Sequence, residues 1–99
     1  MSISYIARIE GDVIDHIKKG RVEGIKYNLN KQEKPNEINV HDIEGKNGVW
    51  LETTGKNKVI VTRYGTNNED VILEKLEAHF DVVFACEDTD EYWKIEDGD

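Results

Sequence analysis

Apolar and polar residues alternate between Ile3 and Ile9, and such alternation is typical of a strand with one buried face. Asp12 then offers the side chain of a helix N-cap. The apolar residues after it recur at helical spacing until Gly20, which supplies a stop. A second alternating run, residues 25–29, predicts another strand. The chain therefore begins with a strand, a short helix and a strand.

Two turns rich in Gly and Asn divide the middle of the chain. Residues 45–48 read Gly-Lys-Asn-Gly and residues 55–58 read Gly-Lys-Asn-Lys, which is typical of tight connections between neighbouring strands. The short β-rich runs around these turns, 38–43, 49–51 and 59–64, predict an antiparallel meander. The polar segment 30–37, which holds the only proline, is predicted to be a loop.

The last third begins with a helix signal. Residues 66–69 read Thr-Asn-Asn-Glu, a capping-box pattern, and predict a helix that ends near Phe80. Residues 81–86 predict a strand, residues 91–95 a further strand, and residues 96–99 an acidic, frayed tail. The order β-α-β-β-β-β-α-β-β predicts one α+β domain, residues 1–99, with two helices on one face of a mostly antiparallel sheet.

The negative charge of the chain is concentrated in this last third. Residues 1–68 hold 11 Lys/Arg and 9 Asp/Glu (net +2), whereas residues 69–99 hold 2 and 12 (net −10), which together give the net charge of −8. Coulomb repulsion opposes direct binding of such a chain to nucleic acid or to an anionic membrane, whereas Coulomb attraction favours a basic protein partner. No apolar run approaches the roughly 20 residues of a membrane span. The N-terminal residues lack a signal-peptide pattern, and the single cysteine, Cys86, fits a reducing compartment, so a cytoplasmic location is expected.

Four carboxylates of the predicted helix share one face. On a helix they fall within about 60° of arc, opposite the apolar positions, and span roughly 16 Å; they are Asp70, Glu74, Glu77 and Asp81. One interpretation is a solvated outer face that keeps a small protein soluble. The other is an anionic surface, extended by Glu87, Asp88, Asp90 and Glu91, that imitates nucleic acid and occupies the basic groove of a nucleic-acid-binding protein.

Two aromatic residues lie among these acids, Tyr92 and Trp93. On the predicted strand they point to opposite faces, so one of them is expected to be exposed. Because Trp and Tyr are enriched among interface hot spots, Trp93 is assigned to the partner-binding residues; the alternative is that it packs over the sheet edge. Trp50 is a second candidate for exposure.

No pattern in the sequence supplies a catalytic, cofactor or metal site. The three histidines are isolated, the Gly-Lys turns lack a P-loop frame, and residues 88–93 lack the glycine of a calcium loop. We therefore expect a non-enzymatic inhibitor without a cofactor that blocks a basic nuclease, toxin or nucleic-acid-binding protein stoichiometrically. Immunity proteins and phage anti-defence proteins act in this way. Two alternatives remain open: a small-ligand or nucleotide-binding module, and a homodimeric or homo-oligomeric structural protein.

Overall fold

The computed structural model describes residues 3–28, 34–63 and 70–98. These residues form six strands and three helices, in the order β1 (Ile3–Arg8), α1 (Val13–Lys18), β2 (Ile25–Asn28), β3 (Glu37–Asp42), β4 (Gly48–Thr54), β5 (Lys58–Arg63), α2 (Asp70–Phe80), β6 (Ala85–Cys86) and α3 (Asp90–Asp97). Residues 30–33 of the predicted loop 30–37 and the whole of the predicted capping box 66–69 lie outside the described residues. The last residue of the predicted loop, Glu37, belongs to β3 instead.

All six strands belong to one sheet with the order β2-β3-β4-β5-β1-β6, and every pairing is antiparallel. The strands β2 to β5 form the meander that the two Gly/Asn turns predict, and β1 then joins β5 on its far side. The predicted α+β class is thus confirmed. The edges of the sheet are β2 and the two-residue β6.

The turn between β3 and β4 is held by the carboxylate of Asp42. Its Oδ1 accepts the backbone N–H of Lys46 at 2.9 Å and its Oδ2 accepts the side-chain amide of Asn47 at 2.9 Å. The hydrogen bonds from Asn47, with further ones from the turn backbone, lower the pKa of Asp42 below its ordinary value of 3.8. Gly45, at φ 75°, supplies the left-handed position that this turn requires.

The helices α1 and α2 cover one face of the sheet. Val13, Ile14 and Ile17 of α1 belong to a single buried cluster with Ile72, Leu73 and Leu76 of α2. The strands contribute every second residue to this cluster, which includes Ala7, Ile38, Val40, Val49, Leu51, Val59 and Val61. Asp12 is the N-cap of α1, as predicted, and accepts the N–H of Asp15 at 3.0 Å.

The prediction of only two helices is wrong, because residues 91–95 lie in α3 rather than in a strand. Arg8 and Lys58 are cross-strand neighbours on β1 and β5, and both donate to backbone carbonyls in the last turn of α3, Arg8 to Ile95 at 3.1 Å and Lys58 to Glu96. Ala7 and Val59, which alternate with them, face the main cluster. Since successive strand residues point to opposite faces, α3 lies on the face opposite α1 and α2. The buried residues Ile6 and Tyr92, which are outside the main cluster, belong to this second layer.

Two further predictions about the last third need correction. The strand predicted for residues 81–86 is reduced to Ala85–Cys86, because the residues before it complete the end of α2. The tail predicted to be frayed from residue 96 instead keeps Glu96 and Asp97 within α3, and the Gly98 N–H donates to Lys94 O at 3.1 Å.

Candidate protein-binding surface

Two of the four acids that were predicted to form a row on α2 are exposed on the helix surface. Asp70 begins α2, and Glu74 lies one turn later on an exposed position of the same helix. The apolar face of α2 is buried against the sheet, so these carboxylates point away from the core. Asp70 also suits the positive end of the helix dipole.

Glu77 has a structural contact that its sequence position does not suggest. Its Oε2 accepts the backbone N–H of Phe84 at 2.8 Å, and its side chain is only partly exposed. Phe84 belongs to the main cluster, so this hydrogen bond fixes the segment that leads from α2 to β6. A carboxylate near the end of a helix is unfavourable to the dipole, and here the hydrogen bond to Phe84 offsets that cost.

Asp81 lies beyond the end of α2 rather than on its face. Its φ is 55°, and the next N–H, that of Val82, donates to Glu77 O at 3.3 Å. This is the six-to-one hydrogen bond of a Schellman helix end, with Asp81 in the left-handed position that glycine usually occupies. The prediction from helical spacing that Asp81 continues the row on α2 is therefore wrong, although its side chain is exposed.

The second group of predicted site residues surrounds the start of α3. Thr89 is the N-cap, and its Oγ1 accepts the Tyr92 N–H at 3.4 Å and donates to Cys86 O at 2.6 Å. Asp90 and Glu91 occupy the first turn, where the helix dipole favours carboxylates. Asp88 precedes the cap in a left-handed conformation, at φ 77°. All three carboxylates are exposed.

The aromatic pair on α3 is divided between the interior and the solvent. Tyr92 is buried, whereas Trp93 is 47% exposed; the two rings meet edge to face, with centroids 5.3 Å apart. Burial, reinforced by the neighbouring Glu96 and Glu87, raises the pKa of Tyr92 above 10.0, so this phenol stays protonated at neutral pH. One aromatic is exposed, as predicted, but helical geometry rather than strand alternation separates the two side chains.

Seven of the eight predicted site residues form two groups, one around α2 and one around α3, and these two helices lie on opposite faces of the sheet. We call Asp70, Glu74 and Asp81 the α2 acids, and Asp88, Asp90 and Glu91 the α3 acids; Trp93 belongs with the second group and Glu77 is engaged in the fold. The chain joins the two groups through β6, the short edge strand. Nine residues separate the end of α2 at Phe80 from the start of α3 at Asp90.

Sequence reasoning missed one exposed apolar residue in this region, Val83, whose side chain is 82% exposed. It lies in the segment between Asp81 and Phe84, where a strand was predicted. Strand alternation does not predict that this valine is exposed. Trp50, the other candidate for exposure, is half-buried on the sheet face opposite the main core. There it borders a cavity of about 250 Å³ with Glu37, Glu52 and Thr62.

Comparison with known proteins finds no matching family model, curated protein or solved structure. Within residues 3–28, 34–63 and 70–98, none of the helices has both the length and the apolar character needed to cross a membrane.

Proposed function

We propose that this protein is a small, non-catalytic inhibitor that binds a basic partner stoichiometrically through the acidic surface of its C-terminal third. The observation that carries the proposal is a set of exposed carboxylates without basic partners. Among the described residues Glu74, Asp81, Asp88, Asp90 and Glu91 take part in no ion pair. The ion pairs Lys19–Asp15 and Lys46–Glu44, by contrast, lie in the first half of the chain.

Uncompensated carboxylates favour association more than folding. Residues 70–97 contain ten Asp/Glu and two Lys, so the field of this segment is strongly negative. Such a field accelerates the encounter with a basic surface and disfavours acidic partners, and it weakens as salt is added. Glu77, Asp90 and Glu91 also serve the fold, but Glu74 and Asp81 have no structural need of a negative charge.

Trp93 and Val83 supply apolar contact area beside the charges. Binding energy at interfaces is concentrated in a few buried side chains, often Trp, with polar and charged groups at the rim. Trp93 is the large aromatic exposed in the acidic segment, and its position on α3 is fixed by the buried ring of Tyr92. A partner that covers Trp93 therefore also meets Asp90, which lies three residues earlier on the same face of α3.

The arrangement on two faces favours a concave partner. A flat surface reaches one group of acids, whereas a concave surface that wraps around the sheet can contact both the α2 acids and the α3 acids. A basic groove that normally holds nucleic acid has this shape and charge. We therefore infer that the inhibitor blocks nucleic-acid binding by a nuclease, toxin or defence protein. A cytoplasmic site of action fits the single unpaired cysteine.

Comparative affinity capture from the source-cell lysate tests this proposal. Four baits are used: the wild type, an α2 variant (Glu74→Gln with Asp81→Asn), an α3 variant (Asp90→Asn with Glu91→Gln) and a control variant (Glu10→Gln with Glu23→Gln). Each variant removes two exposed negative charges. We expect one basic protein to be retained by the wild type and the control, lost at high salt, and lost from the α2 or the α3 variant. Equal retention by all four baits, or an empty wild-type column, would contradict the proposal.

A further inference from the structure

A small cavity lies over the strands β3 and β4, on the sheet face opposite the main cluster. It encloses about 250 Å³, and its lining includes Glu37, Trp50, Glu52 and Thr62. The strand residues next to these four face the main cluster instead; they include Ile38, Val49, Leu51 and Val61. Since successive strand residues point to opposite faces, the four lining side chains lie on the same side of the sheet as α3.

The two glutamates of the cavity are directly opposite each other. Glu37 of β3 and Glu52 of β4 are cross-strand partners. In the neighbouring pair, Thr53 N–H donates to Asn36 O at 2.9 Å. Hydrogen-bonded and non-hydrogen-bonded pairs alternate along the ladder, so the glutamates form a non-hydrogen-bonded pair, in which side chains are closest. Like charges in this position destabilise a sheet, and a cation between the two carboxylates would remove that repulsion.

The protein itself does not supply this cation from the residues that the structure describes. Neither Glu37 nor Glu52 takes part in an ion pair there. Lys58, a diagonal neighbour of Glu52 on β5, is buried, and its ammonium donates to a backbone carbonyl of α3. Arg8, two strands away from β4, also donates to a carbonyl of that helix. Both cations are thus used to hold α3.

The charges on the β2 side of the cavity are further away. Lys26 of β2 is paired with His41, which lies four residues from Glu37 along β3, or about 13 Å. Lys34 is exposed in the turn before β3, where its backbone oxygen accepts the Glu37 N–H at 3.1 Å. On β3 and β4 themselves, this face of the sheet therefore carries two carboxylates and one histidine.

An indole ring lies beside the carboxylates. Trp50 is two residues before Glu52 on β4, so the two side chains share a face, and the ring is half-buried where it lines the cavity. The face of a Trp ring attracts a cation within about 6 Å of its centroid, and carboxylates add charge-assisted hydrogen bonds. The combination of one Trp and two carboxylates favours a cationic group.

We propose that this cavity binds an arginine side chain of another protein. The guanidinium lies on the Trp50 ring and donates to Glu37 and Glu52. Arginine fits this arrangement better than lysine, because its planar group stacks on an aromatic ring while its N–H donors reach two carboxylates.

The size and chemistry of the cavity argue against other occupants. Small-molecule sites usually enclose about 300–1,000 Å³, so a cavity of about 250 Å³ suits a single side chain. A calcium ion takes about six to eight oxygen ligands, more than two carboxylates provide. The site is separate from the α2 acids and the α3 acids and does not depend on the inhibitor proposal.

Model compounds test the cavity on the isolated protein. The probe is N-acetylarginine amide, and its matched control is N-acetylcitrulline amide, in which a neutral urea of similar shape replaces the guanidinium. Binding is followed by NMR through the indole N–H signals of Trp50 and Trp93, which a Trp93→Phe variant assigns. We expect a saturable shift of the Trp50 signal with the arginine compound and none with the citrulline compound. Trp93, exposed among the α3 acids, reports non-specific association.

Three single substitutions locate the site. Glu37→Gln and Glu52→Gln should each weaken the arginine compound at least roughly threefold, whereas Glu23→Gln, at an exposed position before β2, should leave its affinity within about 1.5-fold. Both cavity variants relieve the repulsion between the carboxylates, so we expect them to be at least as stable as the wild type.

Several results would overturn the proposal. They are the absence of a Trp50 shift, an equal shift with the citrulline compound, an equal shift of Trp93, and unchanged affinity in both cavity variants. Equal affinity for N-acetyllysine amide would assign the cavity to cations in general rather than to arginine. Free arginine that binds more than about tenfold tighter than the acetylated amide would assign it to a small molecule instead of a protein side chain.

Discussion

Among the acidic residues of the C-terminal third, Glu77 differs from its neighbours because its carboxylate is part of the fold. Glu77→Ala leaves the Phe84 N–H without its acceptor and should lower the free energy of unfolding by about 1 kcal/mol. Glu74→Ala, at an exposed position one turn earlier, should change it by less than about 0.5 kcal/mol. Urea denaturation of both variants makes the comparison. Equal stability of the two would mean that the hydrogen bond to Phe84 contributes nothing.

Asp42 makes the fold sensitive to acid. Hydrogen bonds from Asn47 and the turn backbone lower its pKa in the folded state below 3.8, so the folded state binds its proton less readily than the unfolded chain. The resulting stabilisation is complete above the ordinary pKa and is lost as pH falls through the lowered value. Asp42→Asn should therefore lower Tm at neutral pH, and its Tm should fall less than that of the wild type below about pH 4. Parallel curves of Tm against pH would exclude this role for Asp42.

Residue-level features of this kind are only partly readable from the sequence. The cap at Asp12 follows from its position before a helical apolar pattern, and the structure confirms it. The contact of Glu77 with Phe84 and the left-handed Asp81 depend on how the chain turns after α2. Helical spacing alone therefore put four carboxylates in one row, whereas the structure leaves Asp70 and Glu74 on the helix surface.

At the scale of elements, α3 is the part that sequence reasoning assigned wrongly. Tyr92-Trp93-Lys94-Ile95 alternates weakly, and that pattern predicted a strand. The stronger signal was Thr89 followed by Asp90 and Glu91, an N-cap with acids in the first turn, which favours a helix. The meander was predictable because Gly45 and the turn at 55–57 carry their own conformational signals, which do not depend on distant contacts.

The docking of α3 depends on cations supplied by the sheet. Lys58, buried between β5 and α3, donates to Glu96 O, and Arg8 donates to Ile95 O and Lys56 O. Lys58→Met keeps most of the aliphatic stem but removes the donor, so the last turn of α3 should fray. Amide hydrogen exchange across residues 92–97 should then accelerate, while α2 amides stay unchanged. Lys56→Met is the matched control, because Lys56 is exposed and contacts Arg8 only through its backbone oxygen. Equal exchange in both variants would contradict the docking role.

At the scale of the whole molecule, the sequence predicted that charge is unevenly distributed but not how the fold arranges it. The α+β class and the meander followed from local patterns. The local sequence could not predict that α3 lies on the face opposite α2. The position of α3 depends on the cross-strand pairing of Arg8 with Lys58 and on the alternation of side chains along β1. The consequence is an acidic segment with α2 on one face of the sheet and α3 on the other.

The exposed carboxylates of the C-terminal third predict how salt affects the inhibitor complex. Binding through exposed carboxylates should weaken markedly between low and high salt, because screening shortens the range of the field. The α2 or α3 variant should show a smaller salt dependence than the wild type, and the Glu10→Gln/Glu23→Gln control should match the wild type. Identical salt dependence for all four proteins would place the contact elsewhere on the molecule.

The most direct measurement of inhibition is competition on the captured basic protein. Its affinity for a fluorescent nucleic-acid probe is measured with increasing amounts of the wild type and of the three charge variants. We predict that the wild type and the control displace the probe at one-to-one stoichiometry, and that the α2 or α3 variant requires at least roughly tenfold more protein. If the partner holds the inhibitor and the probe together without loss of affinity for either, the acidic surface does not occupy a nucleic-acid-binding groove.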